Sequence, residues 1–592
     1  MALAKPNWYV SCSPRDPRKL IPELKLLLKY EGKTWDVSQQ ENFAEELKNL
    51  DSFEGEGYEK EIAFSTRDRV AKLKTYGFVY VKNGVLHITP AGKRICNTNI
   101  PEEVFMKQML KWQFPSFQHR KNAYPYEKFL IRPFIFVSKI IKALGGISKT
   151  ELAIFAFITT NENDTKKVIR EIIKYRNVRE KIVGKVRKRK FDNSILYKRL
   201  KIAFKEFIEH DKMTIRESGK KRFSEVEFLA TKIRSSYDMA DAFIRHLRFT
   251  SLFTIQGSRV VVAESMLDVF EQIISEPITI NQDYNDVESF YSYMGNPDIP
   301  STIFDEKQNI LAEIDKITKS IQSRYAEALK YDKSLKAPTI IDVSKAPIHK
   351  LKEYLFAILH EDTKYKKILL ETQLQSKDSV KEIIETYQKI VDREVIEPAT
   401  YFEWNTWRAL LNIDDEEKIV PNFSMDKDLQ PLNPAGGKKG DIEAYYPEIC
   451  LLIEVTLSSG QRQADKEIEP VWRHVGRFQQ QNKGKKTYGL FIAPKIERAT
   501  YLNFFVIATN PLFEGEEDQN GEKVIIVPLS LEQFLDIFSF FSEIIGDKSL
   551  ILYNLLKSFE EEADSGRHKH GGSWIRTFPE LISKWKQTIK KS

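Results

Sequence analysis

A continuous apolar run that ends in an acid constrains this chain more than any other stretch. Residues 449–453 (ICLLI) have the length and composition of a buried strand, and Glu454-Val455-Thr456 follow without a break. Upstream, a Gly/Lys-rich turn at 434–440 (PAGGKKG) delivers Asp441 to the start of a short polar segment. Downstream, a polar turn leads to a helix predicted to begin at Ala464, which carries Glu467, Glu469 and His474. The spacing therefore predicts two acids, Asp441 and Glu454, at the ends of neighbouring strands, with a third acid on the next helix. An ionised carboxylate at the mouth of a core is costly unless a metal or a lysine partners it. This donor set suits Mg²⁺, which takes one or two protein carboxylates and completes its octahedron with water and substrate phosphate. A metal so placed activates water and stabilises the leaving oxygen of a phosphodiester. The plain alternative is a pair of solvated strand ends, where acids are common.

At 592 residues the chain exceeds a single core, and a prior of about 150 residues per domain gives about four units. An apolar content of 42% with 12% aromatics supports packed domains rather than disorder. The net charge of +8 is mild and fits a nucleic-acid partner only if the basic groups cluster. Cys12, Cys96 and Cys450 are few, odd in number and far apart, so no disulfide framework or zinc spacing follows, and they are expected as buried thiols in a reducing compartment. The N-terminus lacks a signal-peptide apolar region and no apolar stretch approaches membrane-spanning length, so the expected location is the cytoplasm, away from membranes.

Four segments are expected. In residues 1–145, the basic amphipathic stretch holding Arg67, Arg69, Lys72 and Lys74 runs into two short apolar strands separated by Asn83-Gly84, the strongest short hairpin signal. Helix followed by hairpin is the outline of a winged helix, and the four cations on one short stretch point to DNA. The aromatic loop KWQFPSFQHR (111–120) has Trp112, Phe114 and Phe117, which are expected to close an interdomain core rather than stack on bases. In residues 146–280 the theme repeats: Ser148 to Glu151 reads as a capping box, and a second helix-then-hairpin spans 245–262. Between these lies KIVGKVRKRK (181–190), with Lys185, Arg187, Lys188 and Arg189 expected to touch phosphates rather than bases. Residues 276–300 read as a loop, and 281–395 as a helical linker, with coiled-coil pairing left open. Residues 396–592 alternate strands with helices, which indicates an α/β sheet of about five strands. The polar tail 564–570, with His568 and His570, is expected to be solvent-exposed.

Asp441 followed by Glu454-Val455-Thr456 after an apolar strand resembles the PD-(D/E)xK nuclease core, with Gly440 in place of the proline and Thr456 in place of the lysine. Residues 7–15 (NWYVSCSPR), 64–70 (FSTRDRV), 74–79 (KTYGFV), 111–119 (KWQFPSFQH), 402–404 (FEW) and 467–470 (EIEP) resemble the type IIS restriction and site-specific nicking endonucleases of the AlwI/BstNBI kind. The resemblance runs to about residue 510. It implies a multidomain α+β protein: winged-helix-like DNA recognition units, a helical linker that sets the cut distance, and a C-terminal α/β PD-(D/E)xK-like nuclease domain. It also implies that Glu403 stands at the active centre.

The expected mechanism follows. Asp441 and Glu454 hold Mg²⁺, as one or two ions with Mn²⁺ as a substitute, and the Val455 carbonyl completes the shell. Glu467 ligates a second ion or orients the attacking water, and Glu403 supports the site through hydrogen bonds. His474 either acts as general base or phosphate ligand in the absent lysine's place, or simply caps or packs. Lys438 and Lys439 steer the DNA phosphate. One such centre cuts one strand, so a double-strand break needs a small nuclease subunit or a transient homodimer. A separate methyltransferase has to protect the host genome. A non-catalytic DNA-binding regulator with paired winged helices is the rival from another class, and a nuclease that acts on DNA structure is the third reading. No GxxxxGK[ST] motif is present, which argues against ATP-driven movement.

Overall fold

The computed structural model describes residues 3–50, 62–117, 126, 128–214, 221–275, 286–413, 416–437, 439–515, 518–544 and 546–591. The chain divides into two units, Met1–Thr318 with Ile340–Leu359, and Lys319–Thr339 with His360–Ser592. The division falls inside the helical stretch 281–395 rather than at its ends. Helices Lys307–Ala328 and Ile348–Leu374 each cross it.

In the first unit, helix Ile62–Thr75 leads into a hairpin of β1 (Val79–Lys82) and β2 (Val85–Ile88). The antiparallel register runs from Val79↔Ile88 to Lys82↔Val85, leaving Asn83 and Gly84 as the two-residue turn. Both adopt the left-handed region, with φ of 51° and 78°, which is the backbone this turn demands. The Thr89 side chain then accepts the Gly92 N–H and caps helix Pro90–Asn97. The second expected repeat is also present. Ser148 and Glu151 form the capping box, and helix Glu225–Phe249 precedes a three-stranded sheet. Its strands β3 (Ile147–Ser148), β4 (Phe253–Gln256) and β5 (Arg259–Val262) take the order β3-β5-β4. So the helix-to-hairpin order occurs twice. Residues 276–300 are not all loop: Asp286 caps a helix at Val287–Met294.

The aromatic boxes are core. Trp8 is fully buried, donates its indole N–H to the Ala156 carbonyl at 3.0 Å, and meets Trp112 edge-on at 5.9 Å. Trp112 and Phe114 are buried, and Phe117 packs on the cluster of Phe290, Tyr291 and Met294. Edge-on aromatic contacts of this kind add to the burial they bring. Two of the expected DNA-facing cations belong to the same interior. Arg69 pairs with Glu23 inside the fold, and Lys72 donates to the carbonyls of Ser11 (3.1 Å) and Pro14. Cys96 and Cys450 are buried as expected, whereas Cys12 is half-buried.

In the second unit a five-stranded sheet has the order β14-β11-β10-β9-β6. Strand β6 is Lys418–Pro421, and a small hairpin of β7 (Ser424–Met425) and β8 (Pro431–Asn433) follows it. Next come β9 (Ile442–Tyr445), β10 (Ile449–Val455) and β11 (Lys486–Ala493), then the pair β12 (Phe513–Gly515) and β13 (Asp518–Glu522), then β14 (Ile526–Ser530). Strands β10, β11 and β14 run parallel, and β9 is antiparallel to both β10 and β6, so the sheet is mixed. Helices Gln461–Gln481 and Arg498–Thr509 cover one face through Val471, Val475, Phe478 and Phe504, packed on Cys450, Leu452 and Phe491. Helices Pro398–Ile413 and Leu531–Phe541 also pack on the sheet. The central strand is covered on both sides, which is why it reads as an unbroken apolar run. Among the described residues no helix is long and apolar enough to cross a membrane. The tail is exposed as expected except at His568, which pairs with Glu562 at 2.6 Å with its side chain 9% exposed; His570 is exposed and caps helix Gly571–Ile575.

The interior role of Lys72 has a direct check. Lys72→Met removes charge-assisted hydrogen bonds to two carbonyls of the 11–14 loop, so the urea midpoint should fall by the equivalent of about 1–3 kcal/mol. An unchanged midpoint refutes that role.

Candidate active site

The register of β9 on β10 builds the site. Ile442 lies opposite Ile453, so the next positions along the two strands are Asp441 and Glu454. Directly opposed like charges destabilise a strand pair, so this placement works against the stability of the sheet. Several hydrogen bonds hold it. The Val455 N–H donates to Asp441 Oδ2 at 2.8 Å. The Asn422 N–H donates to the Asp441 carbonyl at 3.0 Å, while Asn422 Nδ2 donates to the Gly440 carbonyl and to Glu443. Gly440 is a requirement of close packing. A Cβ on it would stand 2.7 Å from Leu452 Cγ, so a larger residue there requires Leu452 to move.

Three further side chains converge on this pair. Glu403, on the buried helix Pro398–Ile413, accepts the Ala435 N–H at 2.9 Å. Glu467, on helix Gln461–Gln481, accepts the hydroxyls of Thr456 (2.8 Å) and Ser458 (2.9 Å) on its Oε1. That helix begins three residues before the expected Ala464 and still brings Glu467 and His474 to the site. His474 Nδ1 lies 2.7 Å from Glu454 Oε1, with the imidazole 6% exposed.

The electrostatics follow from burial and from the acids themselves. Burial, then the charge of Glu454, raises the Asp441 carboxyl well above its ordinary value. Glu454 is pushed up to about 8 by burial and by Glu467 and Glu403, and Glu403 to about 9 by burial and by Asp441. Burial lowers His474. Burial therefore disfavours the charged form of both members of the Glu454–His474 pair. Among the described residues, no cationic side chain is among the causes of the shifts at Asp441, Glu454 or Glu403.

Val455 contributes its N–H to Asp441. Glu469 is a surface residue paired with Arg473 at 3.2 Å. Lys439 is exposed, and Lys438 lies outside the described residues. Arg67, Lys185, Arg187 and Arg189 are exposed, and Lys74 and Lys188 are half-buried. Arg69 and Lys72 are corrected: both are buried, and their charges are committed to Glu23 and to loop carbonyls, so neither presents a charge at the surface. Sequence reasoning missed Asn422, Ser458 and Gln463, whose roles depend on a turn geometry that no motif announces. Thr456 was visible only as a departure from the pattern.

The donor chemistry fits a hard cation. Stacked carboxyls that shift each other upward gain most when a positive charge enters. Among the described residues no three His, Cys, Asp or Glu side chains form a ready-made ligand cluster. The Asp441–Glu454 pair would supply two carboxylates, a number Mg²⁺ commonly accepts.

A family model described as AlwI restriction endonuclease matches residues 74–537. No protein of curated function matches the chain. Among solved structures, the small subunit (R.BspD6I2) of the heterodimeric restriction endonuclease R.BspD6I is similar at 24% identity. That match has a TM-score of 0.27 and covers 35% of this chain and 99% of that one. The BpuJ1 endonuclease binding domain, solved with modified DNA, is similar at 15% identity. Its TM-score is 0.30, and the match covers 47% of this chain and 92% of that one.

The raised carboxyls have a signature in stability. With Glu454 at about 8 and Glu403 at about 9, the folded chain retains protons that the unfolded chain has lost. In EDTA, the melting temperature should therefore fall as pH rises from about 5 to about 9. Glu454→Gln should flatten that slope and raise the melting temperature at the alkaline end. A slope of opposite sign, or one identical in Glu454→Gln, rules out the assignment.

Proposed function

The chain belongs to the AlwI restriction endonuclease family, and on that premise we propose that it is a type IIS enzyme. It reads a short asymmetric duplex site and hydrolyses a phosphodiester bond outside it with Mg²⁺. The observation that carries this reading is the opposed pair Asp441 and Glu454. Both are half-buried, and both are shifted upward by burial and by neighbouring acids. A DNA-binding regulator has no use for such an arrangement, and the cost of like charges placed face to face argues for a function that needs them.

Asp441 and Glu454 would hold Mg²⁺, with Mn²⁺ as a substitute and with Val455 and Glu467 alongside. When bound, such an ion supplies a water of lowered pKa and charge stabilisation for the leaving oxygen. The chain's own groups do the rest. Glu403 fixes the turn before Asp441 through the Ala435 N–H. His474, hydrogen-bonded to Glu454 through Nδ1, stands in the absent lysine's place as the general base, and burial favours its neutral form. Lys439 is exposed at the mouth of the turn, where it attracts phosphate.

Recognition is assigned to the two helix-then-hairpin units of the first unit, read as winged helices. Arg67 and the basic run Lys185, Arg187, Lys188 and Arg189 supply phosphate contacts. One set of acids serves one strand. A double-strand break then needs a second centre, from a small nuclease subunit or a transient homodimer, and a separate methyltransferase protects the host genome.

Two measurements test this. Asp441→Ala and Glu454→Ala should each lower Mg²⁺-dependent cleavage of supercoiled plasmid by about a thousandfold or more, while duplex binding measured in Ca²⁺ is retained. Cleavage that survives in both refutes the centre, and the ratio of nicked to linear plasmid in the wild type separates a one-strand from a two-strand enzyme. Arg187→Ala with Arg189→Ala should reduce the slope of log affinity against log salt by about 2. An unchanged slope removes that stretch from the DNA interface.

A further inference from the structure

Position 456, where the resembled pattern has lysine, holds a threonine whose hydroxyl is fully committed. Thr456 Oγ1 accepts the Ser458 N–H at 3.0 Å, so its own proton goes to Glu467 Oε1 at 2.8 Å. The Ser458 hydroxyl donates to the same oxygen at 2.9 Å. Glu467 Oε2 makes no hydrogen bond among the described residues. The turn that carries Ser458 is itself locked. Gln463 is fully buried, and its Nε2 donates to the carbonyls of Ser458 and Lys495, both at 3.0 Å. Its Oε1 accepts the Glu497 N–H at 2.8 Å and the Thr500 hydroxyl at 3.0 Å. All four hydrogen-bonding positions of that amide are filled, which fixes its orientation and ties the end of β10 to the segment after β11.

We propose that Thr456, Ser458 and Gln463 are positioning residues. Together they form an uncharged clamp that holds Glu467 by one oxygen beside Asp441 and Glu454 and leaves Oε2 to hydrogen-bond the water shell of a hard divalent cation held by that pair. Three features support this. Both hydroxyls converge on one oxygen of Glu467. Glu467 contributes charge at both Asp441 and Glu454, so its position sets the field of the pair. A glutamate is also rich in rotamers, and two neutral donors plus a locked turn remove that freedom without introducing a cation that would compete with the metal. The inference rests on the metal-dependent nuclease reading and extends it to residues that touch neither substrate nor metal.

The test uses the full-length protein and Mn²⁺ as the probe, with free Mn²⁺ read by electron paramagnetic resonance. Thr456→Val with Ser458→Ala should weaken Mn²⁺ binding about tenfold or more and raise the Mg²⁺ concentration needed for half-maximal cleavage. Its melting temperature in EDTA should stay close to that of the wild type. Thr456→Ser alone, which retains the hydroxyl, should restore wild-type Mn²⁺ affinity. Equal Mn²⁺ affinity in the wild type and the double variant overturns the clamp and leaves the nuclease reading standing. A wild type that binds no Mn²⁺ overturns the reading beneath it, and the clamp with it. If the double variant unfolds, Thr456→Val alone decides by the same comparison.

Discussion

The antiparallel pairing of β9 with β10 sets Asp441 against Glu454, and the rest of the second unit accommodates that opposition. Two carboxyls one step past Ile442↔Ile453 repel each other, and burial raises the cost of either ionising. The sheet tolerates them because its interior is otherwise dense and apolar. Cys450, Leu452, Phe491 and Ile526 pack against Val471, Val475 and Phe504. The apolar packing sustains a local arrangement that would not form by itself. Strain concentrated at one edge of a stable scaffold is a pattern that functional sites share.

Much of this was legible in the sequence because the signals were local. An apolar run of strand length closed by an acid places Glu454 at a sheet edge. Asn-Gly between short apolar runs specifies a two-residue hairpin, since it allows positive φ at both turn positions. Ser148 with Glu151 announces a helix start, and the box is formed. Glu403 was different: nothing in its own neighbourhood marks it as more than a helix acid, and only the resemblance pointed to the active centre.

What the sequence hid was the long-range use of charge. Four cations between residues 67 and 74 read as one basic face. Helical geometry instead turns Arg69 and Lys72 inward, where Glu23 and the carbonyls of the 11–14 loop meet them. Those partners lie far away in sequence, so no local pattern announces them. The same holds for Gln463, whose partners at 458, 495, 497 and 500 are brought together only by the sheet. The helical stretch 281–395 was read as one body from its composition. Composition is uniform there, whereas the chain's packing is not, and the division between units passes through two continuous helices.

The contact between Gly440 and Leu452 couples the turn to the core. A side-chain carbon at 440 would meet the branch of Leu452, so a larger residue there requires Leu452 to move, and with it the packing beneath the central strand.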